Sequence, residues 1–304
     1  MKDMAASILE RLRNHSKATG LGYQLSLQLF CQEEFLRRLS LSPYKNNFVL
    51  KGGWFVYALT DFQSRVTQDI DFLMCRLPNE LADVRGVMEE ISQIHTHNDY
   101  VTFEVVRAER ITPDREYPGV SVRLIGRIKQ LRIPFSIDIG MDDLILPKPL
   151  KRSIKTRLPD FEEPEILTYS LESTIAEKFD ALLKRMESTS RMKDLFDIYY
   201  LSNLFDFDGR ALQDAVWNTL KHRGTVFEAN CFDRISSFGD DGFLSARWTR
   251  FQPSMQMELP EFAVVLRRLK ESLQPILEES IQERELQMNW SAEEKKWQER
   301  RTWI

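Results

Sequence analysis

Apolar positions recur at helical spacing through the first 45 residues: Ile8 and Leu12, then Leu25, Leu29 and Phe30. Gly20-Leu21-Gly22 interrupts the pattern and Ser42-Pro43-Tyr44 ends it, so the spacing predicts two helices. From Phe48 to about Gly140 the texture changes to short β-branched runs: Phe48-Val49-Leu50, Ile70 to Met74, Val101 to Val106, Val120 to Leu124 and Phe135 to Ile139. These predict strands of one mixed sheet, with helices near Trp54 to Thr60 and Leu81 to Ile94 between them. Pro147, Pro149 and Pro164 bracket a connecting stretch, and a domain boundary is placed there, between residues 1–146 and 147–304. Beyond it the chain reads as helical. Leu171, Ile175, Lys178 and Leu182 share one face, and further helices are expected over Asp194–Leu201, Arg210–Leu220 and Glu261–Gln287. Trp290, Trp297 and Trp303, at intervals of seven and six, read as a helix stripe packed on its own protein or, failing that, as a partner-binding surface. The predicted class is α+β: a helical N-terminal segment, a mixed-sheet core and a helical C-terminal domain.

Composition narrows the function. In 304 residues, 42% are hydrophobic, enough for a sizeable core, and no apolar run approaches the roughly 20 residues that span a bilayer. The start, Met1-Lys2-Asp3-Met4, turns within ten residues into Glu10-Arg11-Leu12-Arg13, unlike a secretory signal, so a cytoplasmic protein is expected. Cys31, Cys75 and Cys231 are odd in number and far apart, which argues for packing as small apolar residues rather than for disulfides or a zinc site. His95 and His97 have no Cys or third His nearby to complete a transition-metal site. A net charge of −4 announces no nucleic acid, so any such binding must come from a local basic patch.

The chemistry concentrates in Lys51-Gly52-Gly53-Trp54 and, some fifteen residues on, Asp69-Ile70-Asp71-Phe72. The glycine pair follows a strand and opens a helix, where bare backbone N–H groups and the helix dipole can hold a phosphate. On a strand, Asp69 and Asp71 project to one face and repel each other unless a cation lies between them. Mg²⁺, a hard ion that takes carboxylates together with phosphate oxygens, fits. Asp138 adds a third acid from an apolar strand, where a lone charge needs a cation or a hydrogen-bonding partner. Three strand-borne acids suit metal ions that activate a hydroxyl and neutralise a leaving pyrophosphate.

Gly-Gly, then Asp-x-Asp on a strand, then a later strand Asp resembles the nucleotidyltransferases related to DNA polymerase beta. More narrowly, Phe48 to Gly53, Arg65 to Phe72, Ile175-Ala176-Glu177-Lys178 and Arg191 to Asp197 resemble the four motifs of the AbiEii toxin family of abortive-infection toxin–antitoxin systems. The resemblance runs from about Leu36 to Leu201. It implies a polymerase-beta-like core in which Gly52 and Gly53 cradle the nucleotide phosphates and Asp69 and Asp71 bind Mg²⁺. Lys178 and Asp194 match the lysine of the third motif and the aspartate of the fourth. Asp138 follows from the wider superfamily, and Lys51 and Arg65 stand beside the phosphate-binding elements as nucleotide-binding candidates. Independently, an ammonium in the apolar stripe at Lys178 needs a phosphate or a carboxylate to reach. Asp194 could orient the substrate or accept a proton, while Asp197 could equally serve as a structural partner for Arg191 or Arg65.

The expected reaction is attack of an acceptor hydroxyl on the α-phosphate of a nucleoside triphosphate, with the helical domain supplying Lys178 and Asp194 across the cleft. The motifs do not name the acceptor. Some members of the family add nucleotides to the 3′ end of tRNA, so tRNA is the first acceptor implied and protein hydroxyls, as in AMP-transferring relatives, the second. Lys148, Lys151, Arg152, Lys155 and Arg157, with no acid between Asp143 and Asp160, form a basic run that could hold an RNA backbone or be an ordinary solvated linker. A toxin of this kind is expected to have a cognate antitoxin. The alternatives from other classes are a non-catalytic nucleotide- or RNA-binding protein that keeps the cleft, and a metal-dependent phosphohydrolase using the same carboxylates.

Overall fold

Gly20, at φ +74°, ends α1 (Met4–Thr19) in the left-handed conformation that glycine adopts without penalty, and α2 (Tyr23–Leu41) starts three residues later. The protein is described by a computed structural model over residues 3–111, 119–141, 144–251 and 257–299. Asp143 and Trp303 lie outside the described residues. After the two helices come β1 (Phe48–Lys51), α3 (Gly52–Leu59), β2 (Ile70–Met74), α4 (Leu81–Gln93), β3 (Val101–Ile111), β4 (Gly119–Ile128) and β5 (Leu131–Met141). Two short strands, β6 (Leu150–Ser153) and β7 (Glu165–Thr168), follow.

Among the described residues these strands form one mixed sheet in the order β3-β4-β5-β2-β1-β7-β6. β3, β4 and β5 make an antiparallel meander, β5 runs parallel to β2, and β1 is antiparallel to β2 but parallel to β7. Side chains alternate between the faces of a sheet, and one face here is apolar throughout: Ile70, Phe72, Val120, Val122, Leu124, Ile133, Phe135, Ile137 and Ile139 are all buried. Each contributes about 1.5–3 kcal/mol by leaving water. α2 covers this face closely. A Cβ on Gly126 of β4 would lie 3.2 Å from Cβ of Cys31, whose thiol pKa burial pushes far up. The other face is left to polar residues at its centre.

The chain divides into two compact units, Met1–Asp143 with Leu150–Thr168, and Leu144–Pro149 with Tyr169–Ile304. This differs from the single boundary expected at 146/147. The reason is the ladder between β7 and β1, Val49 opposite Leu167 and Leu50 opposite Thr168, which returns residues 150–168 to the sheet. Strands of four residues in a charged, proline-bracketed stretch carry too little periodicity to announce themselves.

The second unit contains α5 (Leu171–Arg185), α6 (Met192–Leu204), β8 (Phe207–Asp208), α7 (Gly209–His222), α8 (Cys231–Ser237), α9 (Gly242–Phe251), α10 (Phe262–Ile281), β9 (Met288–Ser291) and β10 (Lys296–Glu299). The helical expectation holds except at the end. The last helix stops at Ile281, and Trp290 and Trp297 face each other across the β9–β10 hairpin, ring centroids 5.6 Å apart and edge to face. The tryptophan stripe is therefore corrected to a cross-strand pair. No helix among the described residues is long and apolar enough to cross a membrane.

Candidate active site

Register brings four polar residues into a row on the face of the sheet opposite α2. Lys51 lies opposite Asp71, Asp71 beside Asp138, and Asp138 opposite Ser121, on adjacent strands β1, β2, β5 and β4. Neighbours in register share a face, so both carboxylates point the same way from parallel strands. Both are half-buried. Ser121 Oγ donates to Asp138 Oδ1 at 2.6 Å. Lys51 reaches across β2: a Cβ on Gly140 of β5 would sit 3.4 Å from its Nζ, so the missing side chain at 140 leaves room for the ammonium.

The glycine pair is built against this row. Gly52 has φ +71°, and a Cβ there would fall 2.9 Å from Cγ of Asp71. A Cβ on Gly53 would meet Nη2 of Arg65 at 2.9 Å and Oγ1 of Thr67 at 3.2 Å. The first turn of α3, whose N–H groups have no acceptor within the helix, thus lies between a carboxylate and a buried guanidinium. Lys51, Gly52, Gly53, Arg65, Asp71 and Asp138 are brought together within the first unit.

Gln32, buried on α2, was not singled out by sequence reasoning. Its Nε2 donates to the carbonyl of Gln68 at 2.7 Å, and its Oε1 accepts from the Trp54 indole at 2.9 Å. One side chain thereby ties the glycine turn to the segment that leads into Asp69. Gln28, one turn earlier, donates to the same carbonyl at 2.7 Å. The only signal in the sequence is two glutamines four apart on a largely apolar helix.

Asp69 is not strand-borne. The β2–β5 ladder opens at Ile70 opposite Ile137, which leaves Asp69 one residue outside it and exposed. Among the described residues no group of three or more His, Cys, Asp or Glu is placed to hold a metal ion. Of the three expected acids, Asp71 and Asp138 are neighbours on adjacent strands, and Asp69 lies at the mouth of β2, one residue outside the ladder. That donor set fits Mg²⁺, which is commonly held by one or two carboxylates plus substrate phosphates rather than by an all-protein cage.

In the second unit, Lys178 of α5 is buried, and its Nζ lies 2.6 Å from Asp197 Oδ2 and 3.2 Å from Asp194 Oδ1, both on α6. Its place in the apolar stripe is explained: it reaches carboxylates. Arg191 Nε donates to the other oxygen of Asp194, so the arginine pairs with Asp194 and not with Asp197. Buried ionic groups of this kind depend on one another, and removal of one partner costs about 3–5 kcal/mol.

The basic run is not a free patch. Lys151 pairs with Glu165 at 2.6 Å and Lys155 with Asp61 at 2.7 Å. Arg157 is buried in an ion pair with Glu33, its guanidinium 4.3 Å from the centroid of the Phe62 ring. The acids that pair with these three cations lie outside the run, Glu33 and Asp61 far from it in sequence, so its local sequence cannot reveal them. The same holds for α2, where buried Glu34 accepts from Arg37, Arg38, Thr96 and Asn98. His95 is exposed beside Asp99.

The profile of the family described as nucleotidyl transferase AbiEii toxin, type IV TA system, matches residues 34–298. Among solved structures, MenT4, a nucleotidyltransferase toxin from Mycobacterium tuberculosis, is similar in fold, with a TM-score of 0.54 at 16% identity over 89% of this chain and 98% of that one. JHP933 from Helicobacter pylori matches at 15% identity over 93% of this chain and 97% of its own, with a TM-score of 0.47. No curated protein matches the chain significantly by sequence.

Proposed function

The chain belongs to the AbiEii family of nucleotidyltransferase toxins of type IV toxin–antitoxin systems, and on that premise we propose that it moves a nucleotide from a nucleoside triphosphate, with Mg²⁺, to the 3′ end of tRNA. The observation that carries this reading is the row Lys51, Asp71 and Asp138 set against the Gly52-Gly53 turn. Asp71 and Asp138, with Asp69 alongside, would hold Mg²⁺, which when bound neutralises phosphate charge and lowers the pKa of the attacking hydroxyl.

The protein's own groups do the rest. The N–H groups at the start of α3 donate to phosphate oxygens, and the absence of side chains at 52 and 53 lets those oxygens approach. Lys51 and Arg65 offset the negative charge that develops as pyrophosphate leaves. Lys178 and Asp194 are assigned to the same reaction. Both oxygens of Asp194 are engaged by cations, which supports a positioning role over that of a general base. Nucleotide addition at the end of tRNA would block translation, consistent with a toxin restrained by a cognate antitoxin and released during phage infection.

The test is incubation of pure protein with each labelled nucleoside triphosphate, Mg²⁺ and total tRNA, beside Asp71→Ala, with RNA and protein resolved on denaturing gels. Label on RNA that disappears in the variant and with chelator is expected. Label on protein alone would replace tRNA as the acceptor, and no label on either would defeat the transfer reading. Growth arrest on expression, relieved by the neighbouring open reading frame, is the expected cellular result.

A further inference from the structure

A cavity of about 510 Å³ in the second unit is lined by Arg191, Lys193, Arg247, Arg250 and Phe251 among others. Four of its described lining residues are cationic and none is acidic. Arg191 and Lys193 come from the start of α6; Arg247 and Arg250 lie one turn apart on α9. The sequence reinforces the polarity, since no acid occurs from Gly242 to Met257. Apart from Arg191, which pairs with Asp194, these cations meet no acid in the described lining of the cavity, and cations so gathered repel one another and are retained most readily where an anion is to be bound.

Two details give the anion a shape. Arg247 is fixed, donating from Nη1 to the carbonyl of Thr189 at 2.6 Å, and its guanidinium lies 4.1 Å from the centroid of Phe243. That ring is 60% exposed, a large apolar surface held flat beside positive charge. Fixed cations beside an open aromatic face are how single-stranded nucleic acids are gripped, phosphates on arginine and lysine and a base on the ring. A free phosphate would not need the ring. The cavity also adjoins the proposed reaction group, because Arg191, which lines it, holds Asp194.

We propose that the start of α6 and the α9 face form the acceptor-strand site, in which Arg191, Lys193, Arg247 and Arg250 bind the phosphate backbone of a single-stranded RNA end and Phe243 stacks on one of its bases. This rests on the transfer reading and gives the C-terminal third of the chain, which the four motifs do not reach, a function of its own.

The experiment measures binding of labelled total tRNA to the full chain on filters over a range of KCl, for the wild type, Lys193→Ala/Arg250→Ala and Phe243→Ala. Lys193 and Arg250 are exposed, so the double variant is expected to keep the wild-type Tm. Removal of two cations should make the slope of log K against log salt shallower by about 1.4 and raise Kd about tenfold, with the KM for nucleoside triphosphate unchanged. Phe243→Ala should weaken binding by about tenfold at an unchanged slope. A double variant with wild-type Kd and slope, or a wild type that does not bind tRNA, overturns the proposal. In the first of those cases intact nucleotide incorporation would leave the transfer reading standing. Binding with the predicted salt dependence in a chain that incorporates nothing would do the reverse, sustaining this surface and defeating the transfer reading.

Discussion

Gly52→Ala separates the two demands that the glycine turn makes on the chain. At φ +71° an L residue costs about 1–2 kcal/mol relative to glycine, whatever the surroundings. In a unit of this size that lowers Tm by about 2–8 °C. The second demand is steric. The new methyl would lie 2.9 Å from Cγ and 3.1 Å from Cβ of Asp71, against an optimum of about 3.5–4.0 Å, so the carboxylate must move by several tenths of an ångström. Asp71 is held in ladders on both sides, and displacement of a group at a reacting centre by about 1 Å costs on the order of 100-fold in rate. Thermal unfolding and nucleotide incorporation are read together. Gly52→Ala should lose both stability and activity, while Gly86→Ala, in open space on α4, should be stabilised by up to about 1 kcal/mol and remain active. In thermal unfolding, adding Asp71→Ala removes the nearer contact and should restore part of the stability lost in Gly52→Ala, a coupling of about 0.5–3 kcal/mol in the double-mutant cycle, with the double variant inactive like Asp71→Ala alone. Wild-type Tm and activity in Gly52→Ala, or strict additivity in the cycle, would refute the reasoning.

Gln32→Leu should orphan the Trp54 indole and cost about 1–3 kcal/mol by urea denaturation, with a raised KM for nucleoside triphosphate because the glycine turn loses its tie to residue 68. Glu34→Ala removes the buried carboxylate that Arg37 and Arg38 share and should cost about 3–5 kcal/mol, seen as a large fall in Tm or as insoluble protein. Arg11 pairs with Asp160 and holds that carboxyl below its usual range, so the pair stabilises above the unfolded-state pKa and the benefit is lost as pH falls through the lower folded-state value. Asp160 is exposed and Arg11 partly so, and the pair is screened by solvent, so the ion pair lost in Arg11→Ala should cost under about 1 kcal/mol at pH 7 and nothing once Asp160 is protonated, by denaturation at the two pH values.

The site in the first unit was legible because its residues have consequences for local backbone: a strand, two glycines and a helix, then a polar interruption of an apolar strand. Asp138 could be read in the same way, since an acid amid Ile137 and Ile139 demands a partner, and register supplies Asp71 and Ser121. What could not be read depends on residues far apart in sequence. Gln32 acquires meaning only when α2 crosses residue 68, and three of the five cations of the basic run find acids only when Glu33, Asp61 and Glu165 arrive. Trp290 and Trp297 are seven apart, a spacing that satisfies a helix stripe as well as a hairpin, and only the pairing of β9 with β8 and β10 decides between them.

The return of the chain to the sheet at β7 bears on how the protein is made. β1 is complete once Lys51 leaves the ribosome, but its parallel neighbour is not available until Thr168, more than a hundred residues later. At about 5–20 residues per second that is a delay of roughly 6–23 s, during which β1 has an open edge next to Gly52 and Gly53. Lys178 and Asp194 follow β7 almost immediately. A chain built in this order closes the sheet edge beside the Gly52-Gly53 turn and gains Lys178 and Asp194 nearly together, so a chain released before that point lacks all three.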